Sequence, residues 1–131
     1  LDGIPKELPS LLRACRLQEK AARVGFDWEK IEKVFEKVEE EMAELKQTFP
    51  NNNKIEMEHE LGDVLFSLVN IARFIKVNPE EAMRKAICRF IERFKYIEEE
   101  TTRRGLDLKD LSLQEMDKYW NEAKKKINDA E

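Results

Sequence analysis

Four acidic residues fall into two pairs with the same three-residue spacing, Glu41/Glu44 in KVEEEMAEL and Glu60/Asp63 in HELGDVLF. Both segments have helical periodicity, and residues three apart on a helix are neighbours, with about 5–6 Å between their Cβ atoms. If the two helices pack as an antiparallel hairpin, four carboxylates converge on one point. Such convergence is unfavourable unless a hard cation neutralises it. An oxygen-only donor set suits Mg²⁺, with Mn²⁺ as the alternative. The sequence has no Gly-rich phosphate loop, no nucleophile elbow and no zinc-type Cys/His grouping. Any chemistry would therefore rest on carboxylates, metal and basic side chains.

Helical phase separates these carboxylates from ordinary ones. At roughly 100° per residue, Ile31, Val34, Phe35, Val38, Met42 and Leu45 form one apolar stripe. Glu41, Glu44 and Lys37 fall on one flank of it, whereas Glu40 points nearly opposite. In the next helix Leu61, Val64, Leu65, Leu68 and Ala72 make the stripe, and Glu60, Asp63 and Ser67 share a flank. Phe66 and Phe74 widen that apolar surface, which predicts a helix buried nearly all round, where a charge needs a partner or a metal. A lone E-x-x-E is usually a solvated face. Two such pairs, phased alike beside consecutive core stripes, favour the metal.

Further along, Lys85, Arg89 and Arg93 recur at four-residue steps, a ladder suited to polyphosphate oxygens. Taken alone, the same ladder would be read as surface pairing with Glu81 and Glu92. Trp120 and Lys124 lie one turn apart; the indole suits either base stacking or a core anchor, and the lysine either phosphate or solvent. His59, the only histidine, is phased away from the acidic flank and is expected at the surface or behind the ligands.

Helices are needed to place these groups, and five can be drawn: about Pro9–Val24 stopped by Gly25, Asp27-capped to Thr48, Ile55–Ile75, Asn78-Pro79 to near Gly105, and a Ser112/Glu115 capping box opening the last to Ile127. With 131 residues, 40% charged and 41% hydrophobic, and only four Gly and four Pro, the chain reads as one all-α domain, residues 1–131, a helical bundle. It opens with Leu1, which suggests a piece excised from a longer polypeptide. A net charge of −4 argues against nucleic-acid polymers and membrane surfaces as partners. Cys15 and Cys88 are isolated and read as reduced core or near-core thiols of a cytoplasmic protein.

KVEEEMAEL followed by HELGDVLFSLVNIAR resembles the E-E-x-x-E … E-x-x-D signature of the MazG nucleoside triphosphate pyrophosphohydrolases. LDGIPKELPSLLRACRLQEKAARVGFDW, NPEEAMRKAICRFIERFKYIEE and YWNEAKK match in kind, so the resemblance covers nearly the whole chain. Dimeric dUTPases and phosphoribosyl-ATP pyrophosphatase are related, and the flanks favour MazG, in particular the C-terminal domain of the bacterial proteins. The resemblance implies a homodimer that completes the helical core, and metal ligands at Glu41, Glu44, Glu60 and Asp63, the four that helical phase selects. Nucleotide contacts would fall on Lys37, Glu40, Arg89, Arg93, Trp120 and Lys124. Glu40, given its phase, suits a place behind the ligands or at a subunit interface. Arg89 stands where relatives can carry lysine, which keeps the charge but changes the geometry offered to phosphate.

The expected reaction is NTP + H₂O → NMP + PPi, assisted by one or more Mg²⁺ ions, with a carboxylate or the metal itself activating water, in nucleotide-pool control or house-cleaning. The alternatives are a dUTPase-like or phosphoribosyl-ATP pyrophosphatase-like enzyme and, in a different class, a catalytically silent helical interaction domain.

Overall fold

The computed structural model describes residues 1–127 and is helical throughout them, with no strand among the described residues. Its elements are α1 (Ser10–Arg23), α2 (Ile31–Gln47), α3 (Lys54–Phe74), α4 (Pro79–Arg103), a 3₁₀ turn (Leu108–Asp110) and α5 (Leu113–Ile127). The five expected α-helices are all present; the 3₁₀ turn was not anticipated. The chain divides into two compact units, Leu1–Ala82 and a second beginning at Met83, with the boundary in the first turn of α4.

In the first unit α2 packs on α3 as a helical hairpin, and α1 lies against α3. The reversal is local chemistry. Asn52 adopts a left-handed backbone, with φ of 47°, and Asn53 caps α3, its Oδ1 accepting from the Ile55 and Glu56 amides at 3.1 and 3.3 Å. α1 ends in a Schellman motif at Gly25, where Phe26 N–H reaches Ala21 O at 3.0 Å. α3 ends the same way, but with Lys76 at the left-handed position.

Asp27 does not cap α2, which begins at Ile31 without a side-chain cap. Its carboxylate is taken instead by Arg73 of α3, at 2.8 Å to Oδ1 and 3.3 Å to Oδ2. Arg73, only 10% exposed, also donates from Nε to Gln18 Oε1 of α1 at 3.0 Å. A nearly buried guanidinium needs acceptors, and it draws Asp27 away from the helix start.

The apolar stripes are only partly covered. Val34 of α2 and Val64, Ser67, Val69 and Ala72 of α3 are buried. Leu61, Leu65, Phe66 and Leu68 of α3, and Phe35 and Met42 of α2, stay about half exposed, contrary to an α3 buried nearly all round. One helical neighbour on each of two sides leaves part of α3 uncovered. Cys15 is buried as expected, but Cys88 is exposed.

In the second unit Ile97, Thr101, Tyr119 and Ala123 are buried. The Tyr96 hydroxyl donates to Glu122 at 3.2 Å, and Arg104 donates to the Tyr119 hydroxyl at 3.1 Å. The capping box forms as read: Glu115 N–H donates to Ser112 Oγ at 3.1 Å and Ser112 N–H to Glu115 Oε1 at 3.3 Å.

Removing the Asp27 carboxylate leaves Arg73 without its charged partner, so Asp27→Ala is expected to lose about 2 kcal/mol of stability at neutral pH. Hydrogen bonds from Arg73 hold the Asp27 pKa below the ordinary carboxylate range against the opposing effect of burial. The contribution is therefore fully present above that ordinary range and is lost as pH falls through the lowered value. Urea unfolding at neutral and acidic pH checks both: the two proteins should converge in acid, and equal midpoints at neutral pH would remove Asp27 from the stabilising set.

Candidate metal centre

The α2–α3 hairpin counts outward from its turn in both directions, so α2 residues some way before it face α3 residues a similar distance after it. Glu41 and Glu44 thereby meet Glu60: one carboxylate oxygen of each lies within 4.8 Å of the others. A second group shares Glu60, placing His59, Glu60 and Asp63 within 4.8 Å of one another. All four carboxylates singled out in the sequence belong to one of these two overlapping groups.

Glu41 is 5% exposed, unusual for a carboxylate. Its Oε1 accepts from Lys37 Nζ at 2.9 Å, one turn earlier on α2. Its Oε2 is buried with no hydrogen-bond partner, and so is Glu60 Oε2. Each such orphan costs free energy in a chain without counter-ions. Glu44 shows the strain as a raised pKa, caused first by loss of solvent, then by the charge on Glu41, then by hydrogen bonding with Glu60 and Glu41. A proton on Glu44 relieves what a cation would relieve. Orphaned oxygens, all-oxygen donors and an acid pushed towards protonation together fit a hard divalent cation held by Glu41, Glu44, Glu60 and Asp63.

Around this cluster the placements vary. Lys37 also approaches Glu40 at 3.6 Å, while Glu40 remains exposed and outside both acidic groups. His59 is not turned away from the ligands: its Nε2 lies 3.3 Å from Asp63 Oδ2. Four residues on a helix return to within about 40° of the starting direction, so His59 shares a side with Asp63 though not with Glu60.

The second unit brings Arg93 and Trp120 together, the guanidinium carbon 5.3 Å from the ring centroid. Phe90 stands against the same indole at 5.7 Å and stacks on Phe94 at 5.9 Å. Trp120 is thus partly an anchor within its own unit. Arg89 lines a shallow hollow with Lys85, Cys88 and Glu92, and Lys124 is exposed.

Sequence reasoning passed over a larger feature, a cleft of about 580 Å³ lined by residues of α1, the α1–α2 connection and α3, among them Phe26, Trp28, Phe66 and Asn70. A signal was available: two aromatic residues within the three that follow the helix-stopping Gly25.

The MazG nucleotide pyrophosphohydrolase domain family matches residues 29–98, a span holding all four carboxylates with Lys37, Glu40, Arg89 and Arg93. A nucleoside triphosphate pyrophosphohydrolase/pyrophosphatase MazG of Thermotoga maritima is 49% identical over 117 residues, 89% of this chain and 45% of that protein. A nucleoside triphosphate pyrophosphohydrolase of Escherichia coli K12 is 38% identical over 129 residues, 95% of this chain and 48% of that protein. The chain thus spans about half the length of these relatives. An uncharacterised protein of Bacillus subtilis, YabN, is 55% identical over 65 residues, 50% of this chain and 13% of its own length.

The raised Glu44 pKa means that the folded metal-free protein holds a proton the unfolded chain releases earlier. Its penalty is absent below the ordinary carboxylate pKa, grows as pH rises and is complete above the raised folded value. Glu44→Gln should remove that part of the pH dependence and melt no lower than wild type at neutral pH. Mg²⁺ should raise the wild-type melting temperature by binding the folded cluster, and do so less for the variant. If Glu44→Gln melts well below metal-free wild type, Glu44 is a structural partner and not a strained ligand.

Proposed function

Because the chain belongs to the MazG nucleotide pyrophosphohydrolase family, we propose that it hydrolyses nucleoside triphosphates to nucleoside monophosphate and pyrophosphate. The observation that carries this is the partly buried, partly orphaned carboxylate cluster of Glu41, Glu44 and Glu60 within the matched span. The printed names of the Thermotoga and Escherichia relatives support the substrate class. Glu41, Glu44, Glu60 and Asp63 would hold Mg²⁺, or Mn²⁺ in its place. Bound there, the cation would neutralise charge on the phosphate oxygens of the substrate as the phosphoanhydride breaks.

The chain's own groups have separable tasks. Lys37 places its ammonium 2.9 Å from Glu41 Oε1 and so offsets charge at one ligand. His59 stands beside Asp63, its Nε2 3.3 Å from Asp63 Oδ2. One of the four carboxylates would accept a proton from the attacking water. The water oxygen bonds to phosphorus, the anhydride oxygen leaves with pyrophosphate, and the water proton passes to the carboxylate. In the second unit Arg89, Arg93 and Lys124 are the basic groups that the family resemblance assigns to phosphate, and the Arg93 guanidinium is steadied by the Trp120 ring. Glu40 supports Lys37 and does not act as a ligand.

We also propose a homodimer. Leu61, Leu65 and Leu68 of α3, with Phe35 and Met42 of α2, form apolar surface that the chain itself leaves half exposed, and a second copy is the partner always present at equal concentration.

Two measurements test these readings. With Mg²⁺, each nucleoside triphosphate turned over should yield one monophosphate and one pyrophosphate, and Ca²⁺ at saturation should support a much lower rate because its looser coordination fits the site less well. Diphosphate with orthophosphate, or equal rates with both ions, would overturn the reading. Sedimentation should give twice the chain mass for wild type and the single chain mass for Leu65→Glu; a monomeric wild type would refute the dimer.

A further inference from the structure

We propose that His59 adds a nitrogen donor beside the carboxylates of α3 and makes, with Glu60 and Asp63, a position selective for a transition-metal dication of the zinc class over Mg²⁺. This rests on the carboxylate centre described above and adds which ion the histidine beside it selects.

The three donors come from one stretch of helix. One ligand atom each from His59, Glu60 and Asp63 lies within 4.8 Å of the others. A step of four residues turns a helix by about 40° and a step of three by about 60° the other way, so Asp63 lies in phase between His59 and Glu60. A four-residue step is also the spacing at which two helical side chains grip a single ion, as the paired histidines of H-E-x-x-H zinc sites do.

A simple surface pair would account for His59 and Asp63, whose side chains are 71% and 45% exposed. It would not account for Glu60, which brings a second carboxylate to the same imidazole while its Oε2 is buried with no hydrogen-bond partner. Glu41, only 5% exposed and with an equally unpartnered Oε2, meets Glu60 from α2. One imidazole cannot offset that much negative charge, and a dication can.

Distance and donor type separate the candidate ions. His59 Nε2 stands 3.3 Å from Asp63 Oδ2. Zinc holds nitrogen and carboxylate oxygen at about 2.0–2.2 Å in a tetrahedron, which sets its ligand atoms roughly 3.3–3.5 Å apart. Mg²⁺ at about 2.0–2.1 Å in an octahedron sets neighbouring ligands roughly 2.8–3.0 Å apart. The observed pair fits the wider edge without moving. Donor chemistry points the same way and discriminates more strongly, because imidazole suits zinc and its neighbours whereas Mg²⁺ keeps to oxygen.

Glu60 serves both groups, since it also belongs to the cluster with Glu41 and Glu44 and a carboxylate offers two oxygens. A hard ion among those three would therefore have the nitrogen-bearing position as its neighbour on α3. The exposure of His59 and Asp63 leaves further coordination positions to water and lets an ion enter without the helices parting.

His59 is the only histidine of the chain, so its ring is an unambiguous NMR probe. The protein used carries Cys88→Ser, which removes the exposed thiol as a competing zinc ligand. Zn²⁺ should move the ring nitrogen resonances of His59 saturably, and Mg²⁺ at saturation should leave them in place. By calorimetry, His59→Gln in the same background should lower the Zn²⁺ affinity about tenfold or more, no less than losing an outer-shell partner of a metal ligand costs. Its Mg²⁺ affinity should stay at the parental level. Zn²⁺ that leaves the ring unmoved, Mg²⁺ that moves it equally, or His59→Gln with parental Zn²⁺ affinity would overturn the proposal. If Mg²⁺ binds and His59 ignores Zn²⁺, the nitrogen donor alone fails; if neither ion binds, the carboxylate centre fails with it.

Discussion

Like charges brought close together on the α2–α3 hairpin set the terms for the first unit. Three carboxylates within 4.8 Å cannot all stay ionised and unaccompanied in a partly desolvated place. Each of the compensations seen is partial. Lys37 pairs with one oxygen of Glu41, the Glu44 pKa is raised by lost solvent and the neighbouring carboxylates, and His59 stands beside Asp63. Glu41 Oε2 and Glu60 Oε2 remain without a partner. A site that only had to be stable would place apolar or amide side chains here, because replacing buried charges is commonly neutral or stabilising. The unresolved remainder is what a divalent cation is suited to take up.

Holding such a cluster together requires a hairpin whose geometry is fixed from elsewhere. Asn52 and Asn53 set the reversal, and Val34 and Val64 are buried near the acidic flank. The far end of α3 is tied down by a different kind of interaction. Arg73 links Gln18, Asp27 and Asn70, three groups separated along the chain, around one guanidinium. That knot locks α1 and the α1–α2 connection against α3, and it orients the amide lining the cleft. The same helix thus carries the charge cluster near its N-terminal half and one wall of the cleft against α1 towards its C-terminal end, with one helical axis fixing the distance between them.

What the sequence disclosed follows from range. Helix starts and stops at Gly25, Asn78 and Ser112 depend on neighbours a few residues away, and they were legible; the Asn53 cap, equally local, was read only as part of the break. The carboxylate pairs were legible too, because helical phase is local and only the hairpin had to be assumed. Asp27 was misread as a cap because its partner, Arg73, lies 46 residues on, and no local signal announces it. The leucines of α3 were read as core because phase reports which residues share a face, not whether a neighbour exists to cover it. His59 lies at the surface and behind a ligand, as read, but its phase was judged against Glu60 when the relevant neighbour was Asp63, one turn ahead. The cleft was invisible for the same reason as the Arg73 knot: its walls come from Leu1, α1, the α1–α2 connection and α3, which meet only in the fold.

Trp120 shows how the two kinds of information interact. By type and spacing it was equally suited to stacking on a base or anchoring a core. In its own unit it already has Phe90 and Arg93 against its ring, so a base would have to displace contacts worth roughly 0.5–1.5 kcal/mol each. An indole engaged in this way serves better to hold Arg93 in one rotamer. A long guanidinium side chain loses about 2 kcal/mol of rotamer entropy when it is fixed, and fixing it before a ligand arrives moves that loss from binding to folding. Trp28, Phe26 and Phe66 have no ring or cation to displace. What each ring already touches therefore separates them: Trp120 has Phe90 and Arg93 against its ring, whereas Trp28, Phe26 and Phe66, like Phe35 and Phe49, have no such partner among the described residues.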